Sequence, residues 1–134
     1  MLEHLDRNEA SKFLKEAFRM LRPGGIIRIV VPDINKQIAL YNISGDANAL
    51  IESTLLCEDS PKTFLQRLRF LATGKRNHQW MYDGNSLSNL LKASGFINTE
   101  ILPIGKTRIC QHEPLDLYEG GPESVYVEAE KPTK

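Results

Sequence analysis

The chain has 134 residues, 41% of them hydrophobic, and its seventeen basic and seventeen acidic residues cancel to a formal charge of zero. That is enough chain to bury one core without disulfides or a structural metal, and the even balance argues against nucleic acid or an anionic membrane surface as a partner. No apolar run approaches the roughly 20 residues of a membrane span, the start lacks the basic-then-apolar pattern of a secretion signal, and two separated cysteines, Cys57 and Cys110, point to a reduced, cytoplasmic compartment.

Met1 to Leu5 is too short for an element of its own and opens into the most strongly patterned stretch of the chain, Asp6 to Asp33. There Ala10, Phe13, Leu14, Ala17, Phe18 and Leu21 recur at helical spacing and make one apolar stripe. Asp6 with Glu9 three residues on has the spacing of a capping box. Pro23 cannot continue the helix, and Gly24-Gly25 can take the positive φ of a stop. The next residues, Ile26 to Val31, are mostly β-branched and barely alternate, which predicts a strand covered on both faces. Pro32-Asp33 closes it. A helix feeding such a strand indicates an α/β fold.

A helical insertion is expected over about residues 34–74. Its first helix carries Ile34, Ile38 and Tyr41 on one face and breaks at Ser44-Gly45. The second starts at a cap on Asp46 with Leu50, Ile51 and Leu55 inward, and the third has Ser60 as cap, Pro61 at its first position and Gly74 as its stop. A basic and then aromatic segment from Lys75 to Tyr82 follows, and it holds Trp80, the single tryptophan. Asp83 caps a helix that buries Leu87, Leu90 and Leu91 and ends at Gly95. Phe96 to Leu102 reads as a second strand, Pro103 to Glu123 as a long loop, and Ser124 to Glu130 as a closing strand. In that strand Val125, Val127 and Ala129 alternate with Tyr126, Glu128 and Glu130 in the half-buried manner.

Several of these stretches, taken in order, resemble the C-terminal half of class I S-adenosylmethionine-dependent methyltransferases: Glu3-His4-Leu5, Leu21-Arg22-Pro23-Gly24-Gly25, Val31-Pro32-Asp33, His78 to Asp83, Ala93-Ser94-Gly95-Phe96 and Val125 to Ala129. The resemblance spans nearly the whole chain. It implies part of a Rossmann-like sheet of order 3-2-1-4-5-7-6, with Ile26 to Val31 as the fifth strand, Phe96 to Leu102 as the sixth and Ser124 to Glu130 as the seventh, antiparallel between them. The expected fold is one truncated methyltransferase-like domain over residues 1–134 with a helical insertion. The family's glycine-rich donor turn and its ribose-binding acidic residue precede the fourth strand, and none of the nine glycines here sits in a G-x-G arrangement. Gly24-Gly25 leads from helix into strand, the wrong direction for a nucleotide loop. The cradle for S-adenosyl-L-methionine is therefore expected upstream of Met1 or on another chain.

By the same resemblance Glu3 and His4 follow the fourth strand, at the end where open sheets bind ligands, so both are candidate cofactor contacts and His4 a candidate base. The alternative is a frayed end. Asp33 is a candidate acceptor contact beyond the fifth strand, or an ordinary helix cap. Tyr41 is an acceptor contact or insertion packing. His78, Trp80 and Tyr82 either wall an acceptor pocket, since aromatic rings with polar tips suit that task, or anchor the insertion to the sheet. No cysteine or histidine cluster has metal-ligand spacing, and no nucleophile turn is present in the sequence. The expected function is the acceptor-side portion of a methyltransferase acting on a small molecule or glycan. The competing expectation is a non-catalytic interaction module that dimerises through the open edge of its first strand.

Overall fold

The computed structural model describes residues 1–54, 78–110, 113 and 115–133. The third expected helix between Ser60 and Gly74, the Lys75-Arg76 pair, Cys57 and His112 lie outside them. The first element is a single 3-10 turn, Leu2–His4, which leads into helix α1, Arg7–Met20. The capping box read from Asp6 and Glu9 forms: Asp6 Oδ1 accepts from the amides of Asn8 and Glu9 at 2.8 Å each, and Glu9 Oε2 accepts from the Asp6 amide at 3.1 Å. These bonds satisfy N–H groups that have no partner inside the helix.

The Pro23-Gly24 stop is a turn with a proline at its second position and a positive-φ glycine at its third, closed by Gly25 N–H donating to Arg22 O at 2.9 Å. Gly24 N–H and Gly25 O then pair with Lys131 O and N–H at 2.9 and 2.8 Å, so the turn is stitched to the chain beyond the last strand. A Cβ on Gly25 would approach Arg22 O to 2.8 Å.

Strand β1 is Ile26–Pro32, β2 is Ile97–Leu102 and β3 is Ser124–Glu130. They form one sheet of order β1-β3-β2, with β3 antiparallel to both neighbours, Ile29 facing Val127 across one pair and Ile101 facing Val127 across the other. Helix α2, Ile34–Ser44, and α3, Ala47–Thr54, follow β1, and α4, Gly84–Ala93, precedes β2. Ala10 and Leu14 of α1, Leu87 and Leu91 of α4, and Ile29, Val31, Val125, Val127 and Ala129 of the sheet make the core, closed by Leu2 and Phe96. Each fully buried leucine there contributes about 1.5–3 kcal/mol.

Three expectations are corrected. The closing strand is not half-buried: Ser124 through Ala129 are all buried, including Tyr126 and Glu128 on the face away from the core. The reason is that described residues of the long loop after β2, among them Thr107, Arg108, Glu119 and Gly121, lie over that face. Tyr126 Oη donates to Glu119 O and Gly121 O at 2.9 and 2.8 Å, and Glu128 accepts from Thr107 Oγ1 at 2.6 Å and Arg108 N–H at 2.8 Å. Strand β1 is not covered throughout: Ile29 and Val31 are buried while its other residues are half-buried, because among the described residues it has a strand on one side only. On α2 the apolar residues Ile38, Leu40, Tyr41 and Ile43 are exposed and Gln37 is buried, since this helix packs against α3 rather than deep on the sheet. Among the described residues no helix is long and apolar enough to cross a membrane.

Candidate functional site

Five separated pieces of sequence meet beyond the carboxyl end of β1. Asp33, the first residue past the strand, is buried and caps α2 by accepting from Asn35 N–H at 3.0 Å. Its own amide donates to Glu123 O at 3.0 Å, and Ile34 N–H donates to Tyr82 O at 3.0 Å, which makes Asp33 and Tyr82 a parallel bridge. The segment His78 to Tyr82 thus lies beside the strand end like a short extra rung. Its other side is held by the 3-10 turn, where Glu3 O accepts from both Gln79 N–H at 2.7 Å and Trp80 N–H at 3.2 Å. One carbonyl with two donors fixes the register of two segments far apart in sequence.

The side chains follow from that clamp. The rings of His4 and His78 meet edge-on with centroids 4.8 Å apart. His4 Nε2 lies 3.6 Å from Glu3 Oε1, an ion-pair distance too long for a hydrogen bond. His78 is buried, and its Nδ1 lies 2.7 Å from the carbonyl of Thr54 in the last turn of α3. A carbonyl only accepts, so Nδ1 carries the proton and the lone pair is on Nε2. Glu3 also takes the Met1 ammonium on Oε2 at 2.6 Å. Burial alone would raise its carboxyl, but that hydrogen bond, a backbone amide and the charges of the terminus and His4 together hold it below the usual glutamate range.

Beside this cluster the Arg7 guanidinium stacks on Trp80 at 5.0 Å from the ring centroid. Arg7, Ser11, Trp80, Tyr82, Ser86 and Leu90 line an open cleft of about 640 Å³ between α1 and α4. Burial pushes the Tyr82 phenol above its ordinary range, with Glu3 adding to the shift and Arg7 opposing it. Tyr82 is thus a neutral hydrogen-bonding group at physiological pH rather than a base. The arrangement offers two imidazoles, a carboxylate, a flat cation-backed indole and a phenol at one end of the sheet.

No protein-family model matches the chain, and no curated protein matches it significantly. Of the residues singled out from sequence, Glu3, His4, His78, Trp80 and Tyr82 come together, and Asp33 joins them through the Tyr82 backbone. Tyr41 does not: it is exposed on α2, and among the described residues no side-chain contact links it to the others. Arg7 was missed, because a single arginine in the first turn of an amphipathic helix carries no signal until its neighbour across the cleft is known. Thr54 was missed for the same kind of reason, since its contribution is a backbone carbonyl.

Proposed function

We propose that this chain is the acceptor-side portion of a class I S-adenosylmethionine-dependent methyltransferase. The single observation that carries the reading is the sheet order β1-β3-β2 with β3 reversed between its neighbours, the arrangement that the resemblance implies for the fifth, seventh and sixth strands. The candidate residues gathered past the end of β1 support it, because open α/β sheets bind ligands beyond their strand ends. In this reading Trp80, Tyr82 and Arg7 wall the methyl acceptor, a small molecule or glycan, His4 takes the acceptor proton where one must leave, and Asp33 with Tyr82 sets the pocket floor. Methyl transfer from a sulfonium draws much of its acceleration from in-line alignment and exclusion of water, so a small inventory of reactive side chains suffices. The donor, S-adenosyl-L-methionine, is held mainly by residues outside this chain, and the assembly works in the cytoplasm.

Isothermal titration with S-adenosylmethionine tests the proposal on this chain and on a form extended upstream. The extended form is expected to bind the donor far more tightly and to methylate an acceptor that fits the Trp80 cleft. An extended form that neither binds nor transfers would overturn it.

A second reading is favoured by one observation, the edge of β1 that has no strand beside it among the described residues. A groove of about 240 Å³ lies against β1, lined by Leu2, Phe13, Ile27 and Leu115 together with Arg28 and Glu119. A non-catalytic module would use that edge to add a strand from a second copy. Light scattering at tens of micromolar separates the two: a dimer that Ile27→Lys dissociates supports the module, and a stable monomer counts against it.

A further inference from the structure

We propose that Glu3, His4 and His78 form a binding site for one borderline divalent cation, Zn²⁺ in the first instance. The donor set is one carboxylate and two imidazoles, which suits Zn²⁺ and leaves at least one coordination position open for water or a polar ligand. One ligand atom from each of the three residues already lies within 4.8 Å of the others. Bonds of about 2.0–2.2 Å to a tetrahedral centre put ligand atoms roughly 3.3–3.6 Å apart, so closing on an ion needs a movement of about an ångström.

The structure supplies one firmly oriented ligand and one that is partly exposed. His78 is buried, and its Nδ1–H is committed to the Thr54 carbonyl at 2.7 Å, which orients the ring and leaves Nε2 as the donor atom. That is the outer-shell arrangement by which metal-binding histidines are usually held. His4, with 43% of its side chain exposed, sets its ring edge-on to His78 with centroids 4.8 Å apart. Glu3 Oε1 already faces His4 at 3.6 Å. The clamp of Gln79 and Trp80 amides on the Glu3 carbonyl keeps the two halves of the set together before any ion arrives. This preorganisation stands apart from the methyl-transfer reading and does not require it.

The experiment is a calorimetric titration of Zn²⁺ into the full chain carrying a short N-terminal extension, so that the nitrogen of Met1 is an amide and not an amine that takes metal itself. Co²⁺ is titrated in parallel and its visible absorption recorded. One ion per chain is expected, with Co²⁺ bands of a four- or five-coordinate site. His4→Ala is expected to weaken binding at least about tenfold with only a small change in the metal-free melting temperature, because 43% of the side chain is exposed. His78→Gln should weaken it as strongly. If that buried substitution unfolds the protein, His4→Ala still decides. A Cys57→Ser, Cys110→Ser, His112→Gln variant is expected to bind as the parent does. Absence of saturable binding, binding undiminished by His4→Ala, or loss in the triple variant would each overturn the proposal.

Discussion

Two clusters of charged side chains sit apart in this fold, and they are built differently. On the outer face of the sheet Glu128 is wholly buried and faces Arg28, its register partner on β1, at 2.9 Å. Thr107 and the Arg108 amide complete the Glu128 carboxylate, while Arg28 also donates to Lys106 O at 2.8 Å and lies over the Tyr126 ring at 5.1 Å. At the end of the sheet Glu3, His4 and His78 are close but loosely joined, with one ion-pair contact at 3.6 Å and one ring contact. The first cluster is centred on the Glu128 carboxylate, which accepts from Arg28, Thr107 and the Arg108 amide, while Nε and Nη2 of Arg28 and of Arg108 are buried without a hydrogen-bond partner among the described residues. In the second, the described contacts among the three side chains are longer than hydrogen bonds.

The largest expected effect breaks the closed cluster. Glu128→Ala would leave the Arg28 guanidinium buried without a counter-charge, and removal of one partner of such a pair costs about 3–5 kcal/mol. Against a typical total of roughly 5–15 kcal/mol that is a large share, readable as a fall in the urea midpoint. The double variant Arg28→Met, Glu128→Leu is expected to recover only part of the loss, because an apolar pair removes the desolvation cost of the two charges but leaves Thr107 Oγ1 and the Arg108 amide without the acceptor they share. His4→Ala, in the open cluster, should leave the midpoint almost unmoved.

Next in size is the bond network that ties the loop to β3. Tyr126→Phe removes the hydroxyl that donates to Glu119 O and Gly121 O and leaves both carbonyls short of a partner, a loss of about 1–3 kcal/mol. Hydrogen exchange should show the 115–122 backbone losing protection before β3 does. If the two lose it together, the loop is held by more than this hydroxyl.

The capped start of α4 gives a pH-dependent effect. Hydrogen bonds from the Ser86 amide and then the Ser86 hydroxyl, joined by the Asn35 amide, outweigh burial and hold the Asp83 carboxyl below its ordinary value of 3.8. A lowered value in the folded state means that the stabilisation is complete above the ordinary aspartate range and is lost as pH falls through the lower folded value. Asp83→Ala is expected to cost about 0.5–2 kcal/mol at neutral pH. The gap between variant and parent should narrow as the solution is acidified below pH 3.8. A gap that stays constant down the acid range would mean that the charge of Asp83 contributes nothing beyond its shape.

What the sequence disclosed follows the reach of each interaction. Local chemistry was legible: the Asp6 and Asp83 caps, the Pro23-Gly24 stop and the three strands appear within a residue or two of their expected places. What depended on distant chain was not. Glu128 looked like a solvated position because alternation in β3 cannot reveal that a loop covers its outer face. The clue available was Arg28, a lone charge inside an otherwise apolar strand, which calls for an acidic partner on the neighbouring strand. His4 and His78 were each flagged alone, and their meeting depends on one carbonyl, Glu3 O, that no residue pattern records. The α2 face was misread because apolar spacing on a helix does not say whether the sheet is near enough to receive it.

The smallest effect sharpens the comparison on the side of the open cluster. Arg7 is exposed, and its stacking on Trp80 at 5.0 Å is a contact of about 0.5–1 kcal/mol at such a site. Arg7→Ala should therefore barely move the unfolding midpoint, while Trp80 fluorescence shifts as the indole loses its cover. Arg7 also lowers the Tyr82 phenol against the burial that raises it, so its removal should push the Tyr82 titration, followed by phenolate absorbance, further toward alkaline pH. A midpoint that falls as far as in Glu128→Ala would mean that the cleft wall holds the fold together, and the division between a closed structural cluster and an open functional one would fail.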